Sequence, residues 1–307
     1  MGNHETSQSH NYSPNIPYYR IFELPKNGEA GGVPSGTEQY YSFNYGNIHF
    51  VCLDAMTSAR SSNGVMCTWL KQDLAANTNH WLIAFWHHPP YTWGSHNSDS
   101  PDGVDFELVE MRENVVPILE SYGVDLVLGG HSHIYERSYL LYGHYSYSSN
   151  LLPSMILDAG SGQADGSGAY HKASAPVPNV GTVYVVAGSS GQATFRTVET
   201  NYPAMFASIL ELGSLVVDID GDRLDGRFLR ETGDIEDHFT LIKPWAGVAA
   251  GQFVVTSARL DGGQVVLRWT ATRGRRYVVQ RAGDLGKSGW STVSEPMIAE
   301  EESLQWS

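Results

Sequence analysis

Trp81-Leu82-Ile83-Ala84-Phe85-Trp86-His87-His88-Pro89-Pro90 is an unbroken apolar run of strand length that stops at two imidazoles and a double proline. A strand buried on both faces reads this way, continuous rather than alternating, and such strands belong to sheets covered by other layers. The form recurs. Val124-Asp125-Leu126-Val127-Leu128 runs into Gly129-Gly130-His131-Ser132-His133, and Thr182 to Ala187 runs into Gly188-Ser189-Ser190-Gly191. Asn47 to Leu53 is β-branched enough for a further strand, which Asp54 ends. Val65 to Ala76 places Met66, Trp69, Leu70 and Leu74 at helical spacing. Phe106 to Tyr122 is a second helical pattern, interrupted by Pro117 and closed by Gly123 in the manner of a C-cap glycine. Strands alternating with helices imply α/β layers, and polar clusters after buried strands lie where open α/β sheets bind ligands.

The flanking stretches are plainer. Residues 11–47, rich in Tyr, Asn, Pro, Gly and Ser, read as loop, and 135–181 as a long Gly/Ser/Tyr-rich surface excursion. Leu215 to Ile219 and Arg227 to Leu229 flank Asp220-Gly221-Asp222, a hairpin signal, and His238 to Ile242 is one more strand. Lys243-Pro244 reads as a domain end. Beyond it the pattern is purely β: Phe253-Val254-Val255, Val265 to Trp269 and Arg276 to Arg281, with a turn at Asp261-Gly262-Gly263. These runs predict the front part of a β-sandwich of fibronectin type III character, too short to complete one of about 100 residues. The expected domains are therefore 1–243 and 244–307.

Composition narrows the function. The 307 residues carry 33 Asp+Glu against 19 Lys+Arg, a formal charge of −14. That balance argues against a nucleic-acid surface, which needs clustered cations. No apolar run approaches the roughly 20 residues of a membrane span. Two cysteines, Cys52 and Cys67, are too few for a disulfide scaffold and sit among apolar residues as buried thiols.

Three clusters carry chemistry: Gly2-Asn3-His4-Glu5, His87-His88-Pro89-Pro90-Tyr91 and Gly130-His131-Ser132-His133. Each has a plain reading, since His-Pro-Pro also makes a rigid loop end and Asn-His alone says little. Together, after buried strands, they offer imidazole and amide oxygen donors from several loops on one sheet edge. That donor set suits divalent cations, and two ions about 3.5–4 Å apart clamp a phosphoryl group and lower the pKa of water between them.

The order Gly-Asn-His-Glu, apolar strand plus His-x-Pro, then Gly-His-x-His resembles the calcineurin-like metallophosphoesterases. Gly130-His131-Ser132-His133-Ile134-Tyr135-Glu136-Arg137-Ser138 resembles the purple acid phosphatase branch, which the Tyr-Glu-Arg-Ser extension distinguishes. The resemblance covers roughly residues 1–243. It implies layered β-sheets flanked by helices and a binuclear metal centre that hydrolyses phosphomonoesters. By position it makes Asn3, His87 and His131 ligands of the divalent metal and His133 the ligand of a second, ferric iron. His87 is preferred to His88 because the family's pattern is His-x-Pro, and zinc, manganese or iron is the divalent partner. His4 and His96 match histidines near the substrate phosphate, suited to binding it or protonating the leaving oxygen. Tyr135, Glu136 and Arg137 are expected to brace the loop, the last two as a bidentate pair.

The departure matters as well. The family's upstream Asp-x-Gly and Gly-Asp-x-x-Tyr, which supply a bridging aspartate, a terminal aspartate and a tyrosine, are absent, and Asp54 does not fit that pattern. The expectation is a fragment lacking the fold's first βαβ portion, with an incomplete centre, weak metal binding and slow turnover. The alternatives are a phosphodiesterase or nucleotidase on the same scaffold, and a non-catalytic metal-binding remnant whose β module contacts a surface. A small phosphoester is the expected partner, and a secreted or periplasmic location follows from the family branch.

Overall fold

The computed structural model describes residues 1–6, 10–100, 105–173, 180–194, 200–244, 255–262, 264–271, 276–277, 279–281, 291–294, 297–299 and 303–306. Phe253, Val254, Gly263 and Val278 of the expected C-terminal strands and turn, and 174–179 of the expected excursion, lie outside these residues.

The architecture is mixed α/β, built on a seven-stranded sheet. Its strands run in the order Tyr41–Tyr45, Ile48–Cys52, Trp81–Phe85, Leu126–Gly129, Val183–Ala187, Tyr135–Ser138, Met205–Ile209. The four from Ile48–Cys52 to Val183–Ala187 are mutually parallel, and the outer strands pair antiparallel. A second, four-stranded sheet is formed by Gly213–Asp220, Arg223–Arg230, Ile235–Ile242 and Tyr170–His171.

The period-two alternation of side chains divides the central strands between two cores. Leu82, Ala84, Val127 and Tyr184 face the helices Val65–Ala76 and Val116–Ser121 in one apolar cluster. Trp81, Ile83, Leu126, Val183 and Val185 face Leu224, Phe228, Phe239 and Leu241 of the second sheet in another. The molecule is thus layered helix, sheet, sheet, and a strand covered on both faces has no polar face to show. That is the physical origin of the continuous apolar runs.

Several expectations are corrected. The stretch 11–47 contains a short helix, Pro17–Ile21, and the strand Tyr41–Tyr45, which makes a hairpin with Ile48–Cys52. The turn between them uses Gly46 at φ 58°, a conformation that costs glycine little. The helical pattern 106–122 is three pieces: Phe106–Glu110, a π turn at Met111–Val115, and Val116–Ser121. Pro117 lacks the N–H that a continuous helix needs there. Gly123 ends the last piece at φ 75°, and Val124 N donates to Leu119 O at 3.1 Å.

Tyr135–Ser138 is no surface excursion. All four residues are buried in the main sheet. Nor do Glu136 and Arg137 pair, because successive side chains of a strand point to opposite faces. Thr92 Oγ1 donates to Glu136 Oε2 at 2.5 Å, whereas Arg137 reaches the second sheet and donates to both oxygens of Asp237 at 2.6 and 2.8 Å. The guanidinium lies over the rings of Phe206 and Phe239, and Tyr135 donates to the same Asp237 at 2.8 Å.

The expected hairpin is present. Gly213–Asp220 and Arg223–Arg230 pair in register from Asp220↔Arg223, around Gly221 at φ 60°. In the C-terminal stretch, Val255–Asp261, Gln264–Thr270 and Ser303–Trp306 form an antiparallel sheet of three strands, and two short strand pairs accompany it. Cys52 and Cys67 are free and buried, and burial pushes the Cys67 thiol up to about 11.

Candidate metal centre

The parallel strands end on one edge, and the loops that leave them are tied together. Trp86 N donates to Leu128 O at 3.1 Å, and Gly130 N to His87 O at 2.9 Å. The backbone of the His87 loop is thereby locked to that of the His131 loop. His131 has φ 59°, the one positive value at a non-glycine among the described residues. Side chains seldom adopt that region, and such outliers cluster at functional sites. Tight turns hold it there: Ser132 N donates to Gly130 O at 2.6 Å and Ile134 N to Ser132 O at 2.8 Å. A Cβ on Gly188 would lie 2.0 Å from Ser132 O, and one on Gly94 2.3 Å from Ser132 Oγ. Glycine is required at both places so that neighbouring loops can close on the turn.

The side chains converge from three loops. His87 Nε2 lies 2.9 Å from Asn3 Oδ1 and 3.2 Å from His131 Nδ1. Donors bound at about 2.0–2.2 Å around a tetrahedral ion stand about 3.3–3.6 Å apart, so these separations are close to those of a ligand set. His87, His88 and His131 form one group able to hold an ion, and His96, Asp105 and His131 form another. His88 Nδ1 and His131 Nε2 are buried without a hydrogen-bond partner. Orphaned nitrogens of this kind call for an explanation, and a cation among them is one.

On the other side of His131, the His96 ring lies at a centroid distance of 3.7 Å, tilted by 30°. His96 Nδ1 is 3.1 Å from both oxygens of Asp105, and Asp105 Oδ1 lies 3.6 Å from His131 Nε2. His4 is exposed beside the cluster, near enough for its charge to disfavour protonation of His87 and His133. His133 belongs to neither donor group among the described residues. Its Nδ1 is 3.2 Å from Thr194 Oγ1, and its backbone N donates to Ser95 Oγ at 2.9 Å. The structure therefore brings Asn3, His87, His131 and His96 together and leaves His133 and His4 at the margin.

Asp105, Thr194 and Ser95 were not singled out in the sequence, and His88 was set behind His87. Asp105 precedes Phe106 and reads as a helix cap, yet its carboxylate makes no capping bond and turns to the histidines. Asp54 is no ligand: its two oxygens accept from Met56 N, Thr57 N, Thr57 Oγ1, Ser58 Oγ and Gln39 Nε2.

Burial dominates the electrostatics. It pushes His87 down to about 3 and His88 to about 2, with His131 adding repulsion. Both rings are neutral at ordinary pH, as ligands must be. Burial would raise the Asp105 carboxyl, but His131 and His96 outweigh it and hold it well below the usual carboxylate range. The N/O donors around His87 and His131 fit one divalent ion. For a second ion His133 stands without companions among the described residues.

Residues 1–135 match the calcineurin-like phosphoesterase family. Purple acid phosphatases are among the chain's relatives. Purple acid phosphatase 15 of Arabidopsis thaliana is 37% identical over 147 residues, which are 47% of this chain and 25% of that protein. Purple acid phosphatase 23 of the same plant is 35% identical over 146 residues, covering 47% and 29%. The purple acid phosphatase PPD1 from yellow lupin seeds superposes with a TM-score of 0.55 at 19% identity, over 80% of this chain and 40% of that one, and shares the fold. The chain spans about a quarter of the length of the curated relatives it matches. No described helix is long and apolar enough to cross a membrane.

Proposed function

We propose that this phosphoesterase domain binds a divalent metal through Asn3, His87 and His131 and acts on phosphomonoesters. The observation that carries the reading is the convergence of Asn3 Oδ1, His87 Nε2 and His131 Nδ1 at 2.9 and 3.2 Å, at the C-terminal ends of parallel strands. A metal held there supplies Lewis-acid charge against the phosphate and makes water a better nucleophile. The protein's own part is to keep His87 and His131 neutral, to hold them by interlocked loops, and to present His96 and His4 to the phosphate or the leaving oxygen. His133 is read as the ligand of a second ion. The branch suggests ferric iron there, with zinc, manganese or iron at the first position. With His133 outside the donor groups, the chain is read as holding one ion, weakly, and turning over slowly or not at all. Residues 244–307 are read as a separate, partial module of fibronectin type III character, and the family branch suggests a secreted or periplasmic setting.

The test is hydrolysis of p-nitrophenyl phosphate against bis(p-nitrophenyl) phosphate by the zinc- or manganese-loaded chain, with metal content measured on the same sample. The reading expects slow, chelator-sensitive turnover with the monoester preferred. Preference for the diester would make the domain a phosphodiesterase. Bound metal with neither substrate cleaved would make it a metal-binding remnant.

A further inference from the structure

Asp105 stands where a helix cap should be and does not cap. It heads the helix Phe106–Glu110, yet its side chain makes no hydrogen bond to that helix. Instead one carboxylate faces two imidazoles, with His96 Nδ1 3.1 Å from both oxygens and His131 Nε2 3.6 Å from Oδ1. The last separation is just beyond a hydrogen bond. His131 is 8% exposed, and its Nε2 has no other partner among the described residues.

The proton pattern can be read from the far side of the ring. Asn3 Oδ1 accepts only, so the His87 nitrogen facing it, Nε2, carries the hydrogen of that 2.9 Å contact. The same Nε2 faces His131 Nδ1 at 3.2 Å, and two N–H groups cannot point at each other. His131 Nδ1 is therefore bare in the neutral ring, and its hydrogen is on Nε2, toward Asp105. A carboxylate behind a histidine's second nitrogen fixes the tautomer and raises the basicity of the first.

We propose that Asp105 is a positioning residue: its carboxylate holds His131 as the Nε2–H tautomer, so that Nδ1 faces His87 as a bare, basic donor, and the same carboxylate holds His96 by Nδ1–H against the His131 ring. One acid thus aligns a metal ligand and the histidine assigned to the phosphate. The close approach of the His96 and His131 rings, 3.7 Å between centroids, fits that shared anchor. The proposal rests on the phosphoesterase reading for what the two histidines do, but the tautomer itself is independent of it.

The experiment uses the full chain, labelled with 15N-histidine and freed of metal, in wild type, Asp105→Asn and Asp105→Glu. Long-range imidazole 1H–15N spectra report which nitrogen of each ring carries hydrogen, and His131→Asn and His96→Gln assign the signals. The wild type is expected to show His131 protonated on Nε2 and bare on Nδ1. Asp105→Asn is expected to mix the tautomers, and Asp105→Glu to restore most of the preference. On zinc titration, Asp105→Asn is expected to weaken affinity by about 10–100-fold at unchanged stoichiometry. An unchanged His131 tautomer in Asp105→Asn would overturn the proposal. So would loss of a whole metal equivalent, which would make Asp105 a ligand. If the chain binds no metal at all, the phosphoesterase reading fails, while the tautomer result still decides the role of Asp105.

Discussion

His131 concentrates the site in one residue. Its backbone is left-handed at φ 59°, its Nδ1 meets His87 and its Nε2 faces Asp105. Asparagine tolerates that backbone region better than most residues, so His131→Asn is expected to keep the fold and lose more than about 100-fold in metal affinity, read by competition with a chelator. His87→Ala is expected to weaken binding more than His88→Ala, because His87 Nε2 sits between Asn3 and His131 whereas His88 approaches from the buried side. Equal losses would place His88 in the ligand set.

These buried imidazoles also set an acid limit. An unfolded histidine takes up a proton near pH 6.5, but folded His87 and His88 do so only near 3 and 2. Between those values the unfolded chain binds more protons, so falling pH favours unfolding. The metal-free chain is expected to be fully stabilised by this effect above about pH 6.5 and to lose it progressively below. A melting temperature that stays flat from pH 7.5 to 4 would contradict this. Sequence made the imidazoles legible, since they follow apolar strands. It could not show Asp105, whose partners lie nine and twenty-six residues away in the chain.

At the scale of elements, strands buried on both faces announced themselves by hydrophobicity, and Tyr135–Ser138 did not. Its polar residues are buried because each is paired: Glu136 with Thr92, Arg137 with Asp237, and Ser138 Oγ with Tyr184 N at 2.9 Å. Composition cannot register compensation by partners a hundred residues away. Arg137→Ala leaves Asp237 buried with half its partners gone, and is expected to cost about 3–5 kcal/mol in urea unfolding. The glycine after the strand Val183–Ala187 is equally exacting. Gly188→Ala would drive a methyl to 2.0 Å from Ser132 O. The turn carrying His131 must move, and metal affinity is expected to fall about tenfold or more. A binding curve that superimposes on wild type would show that the turn does not depend on this approach.

Over the whole molecule, layering puts the donors on one edge of the main sheet while the surface carries a net charge of −14. Such a surface repels anionic phosphoesters at long range, and salt within the physiological range screens it. The layering and the donor edge were legible because the apolar runs end in histidines. The outer strands Tyr41–Tyr45 and Met205–Ile209 were not, because each covers only one face of the core and reads as mixed polarity. The claim on which the rest depends is that Asn3, His87 and His131 hold a metal ion. Anomalous diffraction at the zinc edge from crystals of the zinc-loaded chain tests it most directly. The expected result is a peak about 2.0–2.2 Å from Asn3 Oδ1, His87 Nε2 and His131 Nδ1. A zinc-loaded crystal whose peaks all lie away from these three atoms would contradict it.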